Sequence, residues 1–266
     1  MKDNYNRDIT YLRISVTDRC NLRCTYCMPE EGIDLIPHND LLSFEDIVEF
    51  TRTAVSMGIN KVRLTGGEPL VRKGIVDLVR MLWNIEGIKD LSLTTNAVLL
   101  KEFAKPLKNA GLQRINISLD SLDKERFAQI TRRDKLTEVL EGIEEAIRVG
   151  FKQIKLNCVI EKSKNEPDAV AVSKYAEEKG LQVRFIRTMN LEKGEFWIVD
   201  GGEGGNCSIC NRIRLSSCGK VLPCLFSDLG YSIREFGNEK AILLALENKP
   251  KSGTVSSNNQ FYTVGG

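Results

Sequence analysis

Short β-branched runs alternate with stretches of helical period from residue 12 to residue 187, and this alternation restricts the fold more than any other feature of the chain. Leu12–Thr17, Lys61–Thr65, Asp90–Thr94, Gln113–Leu119, Gln153–Ile160 and Gln182–Arg187 read as strands. Helices are expected from a cap at Ser43 to about Met57, then over Gly74–Ile85, Leu99–Ala110, Thr137–Val149 and Pro167–Lys179. Strands separated by helices of this length build right-handed βαβ units and a parallel sheet. A closed barrel needs eight such units, and the chain reaches residue 190 with six. The expectation is therefore an α/β chain, an open three-quarter (βα)6 partial TIM barrel. Residues 1–190 would form the barrel, and residues 191–266 a small C-terminal appendage covering its lateral gap.

Polar residues collect where the strands end: Thr17, Thr65-Gly66-Gly67-Glu68, Thr94-Thr95-Asn96, Ser118-Leu119-Asp120, Asn157 and Met189. Singly, each could cap a turn or helix. Gathered on one side of a parallel sheet, they are what a shared ligand pocket requires. The loop after the first strand carries Cys20, Cys24 and Cys27, spaced C-x3-C-x2-C. Soft thiolates select iron–sulfur clusters, zinc or copper(I). A structural zinc wants four closed ligands, and the lone histidine, His38, comes well after Cys27. A [4Fe–4S] cluster held by three cysteines keeps one iron open for a small molecule. A zinc loop, or three buried small hydrophobes, is the alternative reading.

A second set, Cys207, Cys210 and Cys224, encloses Cys218, so a closed four-thiolate zinc site also fits that spacing. Arg212 and Arg214 would share one face of a strand there and suit a phosphate or carboxylate. Gly201-Gly202-Glu203-Gly204-Gly205 reads as a flexible hinge, and the last residues as a Ser/Asn-rich linker with a frayed tail. A net charge of +2 without a Lys/Arg run gives no case for nucleic acid. Nothing approaches 18 consecutive apolar residues and the start lacks an apolar signal core, so no membrane and a cytoplasmic location are expected. Eight cysteines in a reducing compartment argue for metal chemistry over disulfides.

Together these residues resemble the radical S-adenosylmethionine (SAM) GTP 3',8-cyclases of molybdenum cofactor biosynthesis, the molybdenum cofactor biosynthesis protein A family. The stretches that carry the likeness are SVTDRCNLRCTYCMP, VRLTGGEPL, LSLTTNAVLL, GLQRINISLD, VRFI, CSICNRIRLSSCGKVLPCLF and the final Gly-Gly. The resemblance implies reductive cleavage of SAM to a 5'-deoxyadenosyl radical and conversion of GTP to (8S)-3',8-cyclo-7,8-dihydroguanosine 5'-triphosphate. It implies that Cys20, Cys24 and Cys27 hold a [4Fe–4S] cluster, with Tyr26, Gly66, Gly67, Glu68, Ser118 and Met189 around SAM. Cys207, Cys210 and Cys224 would hold a second [4Fe–4S] cluster, leaving Cys218 a bystander. Arg13, Arg63, Thr94, Lys155, Arg212 and Arg214 match the family's GTP contacts, the last two taken as catalytic, and Gly265 and Gly266 would reach into the site. An external electron donor such as flavodoxin or ferredoxin is implied, and a homodimer is compatible.

The chain departs from the family in two places. Only 17 residues separate Met189 from Cys207, where the family carries several dozen more. The family's Phe-Ile-Glu-Phe-Met-Pro is Phe185-Ile186-Arg187-Thr188-Met189-Asn190, and its basic run before the final glycines is Ser256-Ser257-Asn258-Asn259-Gln260-Phe261. A shortened second domain could take another substrate, such as a peptide or sugar. A non-catalytic metal-binding module is the remaining alternative, and it requires closed four-ligand sites.

Overall fold

Apolar and polar residues alternate along the strands, and the two resulting faces organise the molecule. In the computed structural model, which describes residues 1–264, one open sheet runs through the chain. Its barrel strands are β1 (Tyr11–Ser15), β2 (Lys61–Thr65), β3 (Asp90–Thr95), β4 (Arg114–Ser118), β5 (Gln153–Ile160) and β6 (Gln182–Arg187). The helices between them are α1 (Phe44–Ser56), α2 (Ile75–Trp83), α3 (Leu100–Asn109), α4 (Lys124–Thr131), α5 (Leu136–Arg148) and α6 (Pro167–Glu178). Leu12, Ile14, Val62, Leu64, Ile154 and Leu156 belong to the main hydrophobic core with the helices' apolar residues. Their neighbours Tyr11, Arg13, Lys61, Arg63, Lys155 and Asn157 line a cavity on the other face, as a period of two demands.

The six expected strands are present, and so is the open, mostly parallel sheet. The expected helices are present as well, and α4 is an addition that the sequence pattern does not signal. It is only 8 residues long, rich in polar side chains, and set by Asp123, whose carboxylate accepts from the Arg126 N–H at 2.7 Å. α1 begins as read, with the reciprocal capping box between Ser43 and Asp46.

The C-terminal segment continues the sheet. β7 (Arg212–Leu215) pairs in parallel with β1, and β8 (Lys220–Leu222) and β9 (Tyr231–Ser232) follow antiparallel. The strand order is β6-β5-β4-β3-β2-β1-β7-β8-β9, so seven parallel strands precede an antiparallel edge. α7 (Ile233–Phe236), α8 (Asn238–Glu247) and α9 (Phe261–Val264) complete the chain. A second apolar cluster of Leu191, Leu222, Leu225, Phe226 and Val264 joins the residues after β6 to those after β8. Across it the Phe196 and Phe226 rings lie 4.7 Å apart.

Two expectations are corrected here. Gly201–Gly205 is a packed turn, and its glycines serve close approach. A Cβ on Gly205 would lie 1.9 Å from the Trp197 carbonyl oxygen, and the Val199 N–H donates to the Gly204 carbonyl at 2.8 Å. Nor is the Ser/Asn stretch loose. Asp228 accepts from the Ser256 hydroxyl at 2.7 Å, the Ser257 hydroxyl at 2.9 Å and the Asn258 N–H at 2.9 Å. Asn259 donates to the carbonyls of Leu225 and Ser227, both at 2.8 Å. The tail that follows forms α9, with Val264 buried. Gly265 and Gly266 lie outside the described residues.

The Asp228 anchor is pH-dependent. The Ser256 hydroxyl and the Asn258 N–H hold its carboxyl near 2, below the usual 3.8. Its contribution to stability is therefore complete above about pH 4 and lost as pH falls toward 2. Asp228→Ala should lower the urea midpoint at pH 6, and the gap to wild type should shrink between pH 4 and pH 2. A gap constant across that range would show that the carboxylate does not anchor the tail.

Candidate active site

The loop bearing Cys20, Cys24 and Cys27 follows the C-terminal end of β1 and is held by main-chain contacts on two sides. On one side, the Gly67 N–H donates to the Thr17 carbonyl at 2.7 Å and the Glu68 N–H to the Arg19 carbonyl at 2.8 Å. A Cβ on Gly67 would sit 2.4 Å from the Arg19 oxygen, which is why glycine stands there. On the other side, the N–H groups of Arg23 and Thr25 donate to the carbonyls of Thr131 and Ile130, both at 2.9 Å, at the end of α4. Arg132, in the left-handed conformation at φ 54°, donates to the Arg23 and Met28 carbonyls at 3.0 and 2.9 Å.

Polar strand ends complete the loop's setting. Glu68 is 1% exposed and accepts from the Thr95 hydroxyl and the Asn96 N–H, both at 2.7 Å, and from the Leu70 N–H at 3.0 Å. Burial nevertheless pushes its carboxyl up to about 7. The carboxylate thus ties the end of β2 to that of β3. Asn96 then reaches the loop, donating to Asn21 Oδ1 at 2.7 Å and to Cys20 Sγ at 3.7 Å. The Tyr26 hydroxyl donates to Asp120 at 2.7 Å, and the other Asp120 oxygen accepts from the Val159 N–H at 2.8 Å. That leaves the Tyr26 main chain and ring for a ligand. Ser118 lies half-buried at the end of β4.

The three thiols are half-buried, and burial raises them: Cys20 to about 11, Cys27 to about 12, and Cys24 higher still. Ligation by these thiols would displace their protons and would therefore depend on pH. No three Cys, His, Asp or Glu side chains among the described residues are grouped as ligands of a single ion would be.

The concave face of the sheet opens into a cavity of about 470 Å³. Arg13, Arg63, Thr94, Lys155, Arg212 and Arg214, expected at the substrate, all line it, and Met189, expected at SAM, lines it with them. Arg13 stands in register with Arg63 on one side and Arg214 on the other. Burial, then Arg13 and Arg212, lower Arg214 to about 9; burial, with Arg13 and Arg184 adding, lowers Arg63 to about 9. The Tyr11 ring lies 5.0 to 5.7 Å from Lys61, Arg63 and Arg13. Its burial would raise the phenol, yet Arg13, Arg63 and Arg212 bring it down to about 8. Such a wall can bind a polyanion.

Cys207, Cys210 and Cys224 line the same cavity, and Cys218 does not. Cys218 lies in the turn between β7 and β8, its sulfur 3.3 Å from the Ser216 hydroxyl. Burial would raise Cys210, but Lys249 and Arg212 outweigh it and lower the thiol below its usual value. Three thiols beside buried cations fit a second cluster. Sequence reasoning missed Arg114, Arg184 and Lys249 at this cavity, and Arg132 beside the first cysteine loop. For Arg114 and Arg184 the signal was available, because strand periodicity aims both at the cavity face. Lys249 lies far along the chain and gave none.

Residues 14–176 match the Radical SAM superfamily. The chain is 42% identical to a GTP 3',8-cyclase of Thermodesulfovibrio yellowstonii, covering 88% of this chain and 87% of that one. A GTP 3',8-cyclase of Alkaliphilus metalliredigens is 40% identical, with coverage of 97% and 91%. That alignment runs over 300 positions against a chain of 266, so the relative carries residues with no counterpart here. Among solved structures, Streptococcus suis SuiB bound to the precursor peptide SuiA superposes with a TM-score of 0.68 at 17% identity, covering 93% of this chain and 66% of that one. The enzyme anSMEcpe with bound AdoMet gives 0.67 at 18% identity, covering 91% and 78%. Both share the fold.

The close approach at Gly67 is open to a direct test. Gly67→Ala should destabilise the protein by about 1–3 kcal/mol, because neither the added carbon nor the Arg19 main chain can move aside. Urea unfolding measures it, and a midpoint equal to wild type would show the loop to be free of that constraint.

Proposed function

Because the chain belongs to the radical SAM superfamily and, at about 40% identity over nearly its whole length, to the GTP 3',8-cyclases, we propose that its concave cavity is the site where GTP is cyclised in molybdenum cofactor biosynthesis. When bound, a [4Fe–4S] cluster and SAM supply the 5'-deoxyadenosyl radical. What the chain's own residues supply is position and charge. Residues 1–190 act as the radical-generating barrel, and residues 191–266 as the substrate half.

In this reading Cys20, Cys24 and Cys27 hold the first cluster, and the strand ends with Gly66, Gly67, Ser118 and Met189 frame SAM. Glu68 works through Thr95 and Asn96, since its oxygens are taken. Cys207, Cys210 and Cys224 hold the second cluster, and Cys218 is spared. Tyr262 belongs to the same neighbourhood. The helix that carries it, α9, packs near β1, the strand that leads into the first cysteine loop.

The observation that carries the substrate assignment is the cationic wall. A triphosphate loses a large hydration energy on entering a cavity, and only several paired donors offset it. Arg13, Arg63, Lys155, Arg212 and Arg214 meet in one cavity whose size suits a nucleotide. No helix among the described residues is long and apolar enough to cross a membrane. A soluble one-electron donor such as flavodoxin or ferredoxin completes the system in the cytoplasm.

Reconstituted, reduced protein should hold about eight irons. With SAM and GTP it should yield 5'-deoxyadenosine and the cyclised nucleotide. Cys24→Ala should abolish SAM cleavage. Product from a peptide or sugar, and none from GTP, would replace the substrate assignment.

Arg212 and Arg214 separate binding from radical formation. The double change Arg212→Ala/Arg214→Ala should weaken GTP binding by about 1–3 kcal/mol for each charge-assisted hydrogen bond that it removes. Substrate-free SAM cleavage should persist at matched iron content. Equal GTP affinity in the two proteins would remove these arginines from the site.

A further inference from the structure

Around the second thiol set, the chain's two ends supply a layer of donors directed at the cysteines and their main chain. Lys249, two residues past the end of α8, is 3% exposed. Its Nζ donates to the Arg212 carbonyl at 2.8 Å and to the Pro223 carbonyl at 2.6 Å. Arg212 follows Cys210 by two residues, and Pro223 immediately precedes Cys224. One ammonium therefore fixes the main chain beside two of the three thiols, and it faces the Cys210 thiol itself. Three residues on, the Ser252 hydroxyl donates to Cys207 Sγ at 3.6 Å. Cys207 is held from the N-terminal end as well. Arg7, paired with Asp3 at 2.6 Å, donates to the Cys207 carbonyl at 2.7 Å and to the carbonyls of Pro250 and Lys251 at 2.7 and 3.1 Å.

A buried ammonium is costly unless its donors are satisfied and a negative charge lies near. Carbonyls satisfy two donors here without supplying that charge. Thiolates on Cys210 and Cys224 would supply it. We propose that Lys249 and Ser252 are positioning residues for the second cluster: they orient its three thiolates and, through one fixed positive charge and one S-directed hydrogen bond, raise its reduction potential. A cationic group and hydrogen bonds to sulfur both favour the reduced, more negative cluster. Arg7 serves as the clamp that keeps the Lys249–Ser252 segment against Cys207. The inference rests on the assignment of Cys207, Cys210 and Cys224 as cluster ligands.

The test compares wild type, Lys249→Met, Lys249→Arg and Ser252→Ala after anaerobic reconstitution, with iron content and EPR-monitored redox titration as readouts. Wild type with about four irons would overturn the ligand assignment itself, before this inference is reached. With about eight irons in wild type, Lys249→Met and Ser252→Ala should each lower the midpoint potential of the second cluster and leave that of the first unchanged. Lys249→Arg, which keeps the charge, should stay closer to wild type than Lys249→Met. If Lys249→Met sheds the second cluster, Ser252→Ala alone decides, since Ser252 is exposed and its loss leaves the packing intact. A second-cluster potential unmoved in Ser252→Ala and in any Lys249→Met protein that keeps the cluster would overturn the proposal. So would Lys249→Arg shifting as far as Lys249→Met.

Discussion

Arg214, Arg13 and Arg63 stand side by side on three adjacent parallel strands, and much of the molecule is arranged around the repulsion among them. Neighbouring strands lie only about 4.8 Å apart, so the guanidiniums cannot separate without leaving the sheet. The fold tolerates them through Tyr11, whose ring faces Arg13, Arg63 and Lys61, and through Ser92, which accepts from Arg63 at 3.3 Å. Farther along, Asp90 takes Arg114 through two hydrogen bonds at 2.8 and 2.5 Å. These partners reduce the repulsion, and a polyanion entering the cavity would reduce it further. Binding of a highly charged substrate and stability of the barrel are thereby coupled.

The barrel was legible because its signal is local and repeated. Leu12, Ile14, Val62 and Leu64 alternate with residues that face the cavity, and each strand is followed by a helix of clear period. Spacing alone marked both thiol sets, but in the second it left Cys218 open as a fourth member. What sequence reasoning missed depends on contacts between distant parts of the chain. Nothing near Asp228 indicates that Ser256, Ser257 and Asn258 will converge on it, and nothing in Gly201–Gly205 tells a close approach from a hinge. Lys249 resembles any lysine ending a surface helix until β7 and the Pro223 turn close over it. Glu68 is a related case: its place in the Gly-Gly-Glu motif suggested a ligand, and its geometry makes it a brace between strand ends.

The two thiol sets share a rigid support despite their separation in sequence. The first follows β1; the second flanks β7, and these strands are hydrogen-bonded neighbours. That pairing fixes how the strands carrying the two sets stand to one another, with the second set on the cavity wall. Residues 190–206 reach the cavity from the opposite edge, with Phe196 against Phe226.

The pairing of β1 with β7 brings residues 11–14 beside residues 212–215, and it dictates an order of events on the ribosome. One edge of β1 has no partner until some two hundred further residues have been made. At typical rates of synthesis that edge stays open for about ten to forty seconds, a long time for an apolar strand that neighbouring nascent chains could template onto. The first cysteine loop can form on the early strands, whereas the second thiol set has no seat until β7 docks. Assembly therefore runs from the radical-generating end to the substrate end, with the vulnerable edge sealed last.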